Sequence, residues 1–367
     1  MNALVIQIGE DQWVGLSTFM WILVITLLFV YGQRIQIFLA LRRIGKDLKK
    51  LERMSRGAKE KLKQKFLEYG AEEVQVKMDL EKLLNSFVIR PTDLDPKGIV
   101  YKLDRLLRSY DFFLRERVAA LAPKADAVTR LNLTNLAEAT LALESIYKTV
   151  RHYYTSAKKF NDLFAIVQLQ IQLPTIMETA DAYYRSLDAF SKGVPIGDSL
   201  GPMVVSKLAG SAKFREIAEE TVIAETEFEG RKLILMKAKG PGGTVGRPGE
   251  AIEKILELYN VSAIITIDAG LKLYGEESGE VIHGVGAAVG GPGVDRFKIE
   301  EAATKRKVPM YAVIVKMSEK EAVGEMNDRI KNAINLTAEK VRKMILERTK
   351  EGDVVVVAGI GNTIGVP

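Results

Sequence analysis

Four runs of apolar residues recur in the second half of the chain, over 233–238, 263–267, 310–315 and 354–358, and the last opens Val354-Val355-Val356-Val357. Runs of this length without polar alternation read as strands buried on both faces, which a sheet achieves only between two layers of helix. Between them lie stretches of helical character, a start over 199–208, then 250–259 and 319–349, so strands and helices alternate. That order predicts an α/β fold for residues 191–367, a three-layer α/β domain beginning where glycine becomes frequent at Gly193.

The rest of the chain has a different character. No charged residue occurs from Gln12 to Gln33, and the run is rich in Leu, Ile, Phe and Trp. As a helix of ~1.5 Å rise per residue it is long enough for a hydrocarbon core, with Trp13 and Tyr31 where interfacial anchors belong. The expectation is an N-terminal transmembrane helix within 1–33. Twelve Lys/Arg against three Asp/Glu follow over 34–65, a net of +9, although the whole chain carries only +6. Cations beside a span favour the inner leaflet, so the expected topology puts the N-terminus outside and the bulk of the chain in the cytoplasm of a single-pass protein. Lipid is then the expected partner, through residues 12–33 and the basic residues 34–65, and the local origin of the positive charge removes the case for nucleic acid.

Residues 34–90 read as a basic, helical juxtamembrane stalk, ended by the Pro91 and Pro96 segment, and 91–190 as an all-helical middle region of long amphipathic helices. No chemistry is legible there beyond packing, spacing and homo-oligomer contact. Two Asn-Leu-Thr triplets, at 132–134 and 335–337, have the form of glycosylation acceptors but lie on the wrong side of the membrane for it under this topology. The absence of cysteine excludes disulfides, thiolate catalysis and cysteine metal sites.

Chemistry concentrates around two acids. Asp198 sits in Gly197-Asp198-Ser199-Leu200-Gly201-Pro202, and Asp268 ends the strand Ile264-Ile265-Thr266-Ile267. Strand carboxyl ends meet at the crevice where an open α/β sheet gathers its ligands, so the two face one site if the fold brings them together. Taken singly, Asp198 also reads as a helix cap and Asp268 as a satisfied strand-end acid. Three glycine-rich loops, over 240–246, 283–293 and 359–365, match neither the dinucleotide fingerprint nor the phosphate-binding loop.

Gly-Asp-Ser-Leu-Gly-Pro, then Gly242-Gly243-Thr244-Val245-Gly246, then Ile267-Asp268-Ala269, followed by Gly291-Pro292-Gly293-Val294 and Val308-Pro309, resembles the superfamily of spore germination and hydrogenase maturation proteases. There a strand ending Gly-Ile-Gly-Asn directly precedes the first acidic loop. Here Gly359-Ile360-Gly361-Asn362 lies near position 367, so the resemblance implies a circular permutation with Gly361 and Asn362 folded back beside Asp198. From anchor to Gly-Ile-Gly-Asn, the chain also resembles an archaeal membrane family described as domain of unknown function 1512, which names no activity. The resemblance implies Asp198 and Asp268 as catalytic aspartates in the germination branch. In the maturation branch it implies a divalent-metal site of Asp198, Asp268 and His283. Gly243, Thr244, Gly361, Asn362, Asp295 and Arg296 are the expected substrate and oxyanion residues, although Asp295-Arg296 replaces the branch's usual Gly-Asn.

The function expected is a membrane-tethered cytoplasmic peptidase-like domain with an aspartate dyad acting on a protein substrate. The alternatives are a non-catalytic module that binds a ligand or metal, and a membrane scaffold.

Overall fold

A computed structural model describes residues 10–85 and 98–367. The break expected around Arg90 to Lys97 lies outside the described residues. Five helices come first: α1 (Glu10–Glu68), α2 (Glu73–Leu84), α3 (Ile99–Leu121), α4 (Ala127–Phe160) and α5 (Leu163–Lys192). There follow α6 (Leu200–Ala209), β1 (Arg215–Ala218), β2 (Thr221–Phe228), β3 (Arg231–Ala238), α7 (Pro248–Leu258), β4 (Val261–Leu271) and β5 (Val281–Val285). The chain then forms α8 (Val294–Arg306), β6 (Met310–Met317), α9 (Glu319–Val323), α10 (Asp328–Arg348) and β7 (Val354–Gly359).

The expected N-terminal transmembrane helix is corrected here. Among the described residues no helix is long and apolar enough to cross a membrane. The apolar run does not form an element of its own; it is the first part of α1, a single helix of 59 residues that continues through the basic segment to Glu68.

The chain divides into two compact units, residues 1–53 with 145–177, and residues 54–144 with 178–367. The described part of the first unit is helical. Within it, Gly45 lets Tyr154 approach, its hydroxyl 3.2 Å from where a β-carbon would stand. The second unit holds the seven-stranded sheet, in the order β1-β2-β3-β7-β4-β6-β5. Strand β7 is parallel to both β3 and β4, and β4 is parallel to β6, whereas β1, β2 and β5 join antiparallel. The sheet is therefore mixed.

The apolar runs explain the centre. Val355 and Val357 point into one core with Leu235, Ile265 and Val313, shared with α6 and α10, while Val356 and Ile264 point into a second core with α7 and α8. Each such side chain fully removed from water contributes about 1.5–3 kcal/mol. The 319–349 stretch, expected as one helix, breaks at Gly324 and restarts where Asn327 caps α10, its side chain accepting from the Ile330 amide.

One close approach fixes the geometry above the sheet. A β-carbon on Gly201 in the first turn of α6 would stand 2.2 Å from the Ile360 carbonyl oxygen and 2.7 Å from that of Ile267. Glycine alone lets this helix seat on the ends of β7 and β4. Gly201→Ala is therefore expected to cost about 3 kcal/mol or more in urea unfolding, whereas Gly284→Ala, which meets no atom within 4 Å, stays within about 1 kcal/mol.

Candidate active site at the strand carboxyl ends

Asp198 lies in the single 3-10 turn Gly197–Ser199 that leads into α6. The turn is pinned by the Gly197 amide donating to the Gly324 carbonyl and by the Ser199 amide donating to that of Ile196. Asp268, expected to end its strand, lies within β4, which continues to Leu271 alongside β6, and is in register with Ile314. Strand β7 ends between them. Its continuation, with Gly361 at φ 130°, carries the Asn362 amide to 2.7 Å from Asp198 Oδ2. A side chain at 361 would collide with the Asp198 carbonyl, 2.0 Å away. Gly361 and Asn362 thus stand beside Asp198.

Asp268 is 5% exposed and accepts two backbone hydrogen bonds, from Ala269 to Oδ1 at 2.7 Å and from Gly290 to Oδ2 at 2.8 Å. Burial pushes its pKa up to about 8, the nearby Asp198 charge adds to the rise, and the two amides oppose it. Asp198 is likewise held above the usual carboxylate range by burial, against the pull of the Asn362 amide. Each carboxylate is therefore in the other's field, and among the described residues neither is paired with a cation. Such a pair titrates as a unit and keeps a proton where ordinary carboxylates have lost theirs.

The other expected site residues have different work. Gly243 donates its amide to Asn132 Oδ1 at 2.9 Å. The Thr244 hydroxyl donates to Glu220 Oε2 at 2.5 Å, and its carbonyl accepts from the Thr363 amide. These groups brace the loop rather than point at a developing oxyanion. Asp295 Oδ1 accepts from the Gly249 amide in the first turn of α7, and Arg296 pairs with Glu300 one turn along α8. His283 is on β5, opposite Val313, whereas Asp268 shares its row with Ile314 and Ile282. Successive strand residues point to opposite faces, so His283 projects from the face away from Asp268. Among the described residues no group of three His, Asp or Glu could hold a metal ion.

Two residues that the sequence reading passed over complete the site. Asn135 of α4 accepts from Asn362 Nδ2 at 2.8 Å and donates to the Gly243 carbonyl at 2.7 Å. With Asn132 it clamps the glycine loop to the residue that holds Asp198. The Asn-Leu-Thr triplet at 132–134 is thus structural, and its signal was present: Asn132 and Asn135 are spaced i, i+3 among Leu131, Leu133 and Leu136. One turn further, Glu138 is held above the usual carboxylate range by burial and by Asp111, with Arg115 opposing. Burial raises Tyr110 and Tyr183, and the Glu138 charge adds to both, after Glu319 in the case of Tyr183.

A surface cavity of about 880 Å³ beside Glu280, Lys316 and Arg329 includes neither acid.

Two family models match the chain: the N-terminal domain of the protein of unknown function DUF1512 over residues 18–193, and the C-terminal domain of unknown function (DUF1512) over residues 196–367. No curated protein matches it. The chain belongs to the DUF1512 family.

The coupled acids make a pH prediction whose sign follows from proton binding. An aspartate titrates near ~4 when unfolded, and Asp268 does so at about 8 when folded. The folded state therefore binds the extra proton, and the wild type loses stability as pH rises through that window. Asp268→Asn is expected to gain stability relative to wild type between pH ~5 and ~8, by at least about 1 kcal/mol in paired urea titrations. A pH-independent difference would contradict the raised pKa of Asp268.

Proposed function

We propose that this DUF1512 protein is a peptidase whose nucleophilic water is activated by the Asp198–Asp268 pair. The carrying observation is that two acids from separate segments, each held by backbone amides, lie within each other's field where β7 ends. In the pair's singly protonated form, the ionised carboxylate removes a proton from water while the water oxygen bonds to the scissile carbonyl carbon. The protonated carboxyl donates to the carbonyl oxygen. As the tetrahedral adduct collapses, the C–N bond breaks, the proton taken from water passes to the leaving nitrogen, and the hydroxyl proton returns to the pair. The products are an acid and an amine. Amide hydrogen bonds at both carboxyls keep the pair oriented without neutralising it.

The runner-up is a non-catalytic module that uses the same crevice for a small ligand; the acids support it as far as they support catalysis, and turnover separates the two. Full-length protein incubated with a denatured proteome is expected to yield new peptide ends by mass spectrometry. Asp198→Asn and Asp268→Asn each lower the rate by about 10²–10⁴-fold. Wild-type cleavage falls off above about pH 8, as the shared proton is lost. No cleavage by the wild type, or undiminished cleavage by both variants, contradicts the reading.

We further propose that the first part of α1 lies against an anionic lipid surface. Trp13, Phe19, Trp21, Ile22 and Ile25 are exposed there, and the basic segment follows on the same helix. In flotation assays the chain is expected to rise with vesicles containing phosphatidylglycerol. Trp21→Glu reduces this, and raising salt from about 0.1 to about 1 M reduces it further. Equal recovery without vesicles contradicts it.

A further inference from the structure

Every open sheet has two edges, and this one guards them unequally. At one end, β1 has four residues, carries Arg215 and Glu216, and is bulged between Glu216 and Ala218. Lys254 Nζ also covers the Ile217 carbonyl, donating to it at 3.0 Å. Short length, charge and a bulge are the devices by which natural edges avoid pairing with other chains. At the other end, β5 reads Val281-Ile282-His283-Gly284-Val285, with no Lys, Arg, Asp, Glu or Pro and an unbroken register along β6.

The ladder fixes which of its backbone groups face outward. The Gly286 amide donates to the Met310 carbonyl, and the Lys316 amide donates to the Glu280 carbonyl. In an antiparallel pair, hydrogen-bonded and non-hydrogen-bonded positions alternate. Residues 280, 282, 284 and 286 therefore bond to β6, and Val281, His283 and Val285 turn their N–H and C=O groups away from it. Among the described residues no strand pairs with that side.

Gly284 strengthens the case. Its φ is not in the left-handed region, and a β-carbon there would meet nothing within 4 Å. Neither backbone conformation nor internal packing calls for glycine, which within a strand marks the close approach of a ligand or another backbone. Beyond β5 the chain runs directly to the dyad: the Ala288 amide donates to Thr266 Oγ1 at 2.8 Å, and the Gly290 amide donates to Asp268 Oδ2.

We propose that the open edge of β5 docks an extended segment of the protein substrate as an added strand, which rests on the peptidase reading of the dyad. Main-chain hydrogen bonds from Val281, His283 and Val285 supply the binding, so the segment recognised is extended, free of proline at the paired positions, and apolar where it meets Ile282 and Val285. An added strand lies three strand spacings from β4, roughly 14 Å, so the scissile bond is about four or more residues from the docked segment.

The test uses the full chain, with synthetic peptides of about ten residues alternating valine and threonine as the probe, and hydrogen exchange as the readout. The wild type is expected to show exchange slowed at least about tenfold at 281, 283 and 285 on adding peptide, with residues 280, 282 and 284 unchanged. Asp268→Asn binds as the wild type does. His283→Pro and Val285→Pro, each lacking one outward N–H while keeping the β6 ladder, bind at least about tenfold more weakly. Protection that falls elsewhere, or peptide binding unaltered in both proline variants, overturns the proposal. So does protection of 281–285 that appears without peptide and grows with protein concentration, which makes the edge an interface between copies. The wild-type pattern decides the matter even if a proline variant fails to fold. Peptide docking without cleavage would sink the dyad reading alone; cleavage undiminished in both proline variants would sink the docking alone.

Discussion

Two carboxylates held within one another's field, with backbone amides rather than cations as partners, is the condition the rest of the α/β unit serves. Burial and like charge both raise the free energy of the doubly ionised pair, and amide hydrogen bonds offset only part of it. The donors must be fixed by surrounding structure. Gly361 turns the chain so that the Asn362 amide reaches Asp198, and Gly201 lets α6 seat on the ends of β7 and β4. Asn362 is in turn held by Asn135, and Asn135 by the glycine loop it clamps. Helix α4 therefore belongs to the site, although its sequence reads as packing.

That dependence explains what the sequence disclosed. The four strands with largely apolar runs, β3, β4, β6 and β7, were legible because a strand buried on both faces has no polar alternation to confuse it, Lys237 and Thr266 being the buried exceptions. Strands β1, β2 and β5 were not, since they lie at or near sheet edges where exposure admits Arg215, Glu225, Glu227 and His283. The helix α8 follows a run of glycines and carries charge on most of its surface, which hid it. The run 12–33 was legible as apolar, but its continuation as one helix into the basic segment depends on helical propensity across a boundary that composition had drawn.

Of the candidate site, Asp198, Asp268, Gly361 and Asn362 come together: the two acids stood out beside small residues, and Gly361 and Asn362 through the glycine-rich segment that follows an apolar strand. Gly243, Thr244, Asp295 and Arg296 sit nearby in sequence order but spend their hydrogen bonds on loops and helix termini. His283 joins the acids only through the resemblance to the maturation branch. Strand parity, which needs the register, puts it on the other face. Asn132 and Asn135 showed in the sequence only as a polar pair spaced i, i+3; that they reach the glycine loop and Asn362 is read from tertiary contacts.

The most direct measurement is a carbon-13 NMR titration of the aspartate carboxyl carbons, assigned with the Asp198→Asn and Asp268→Asn variants. Coupled acids predict that Asp198 and Asp268 respond to the same two steps, with the later step well above the ordinary range, and that removing either acid lowers the pKa of the other. Two independent titrations near ~4, unchanged by removal of the partner, would contradict the dyad.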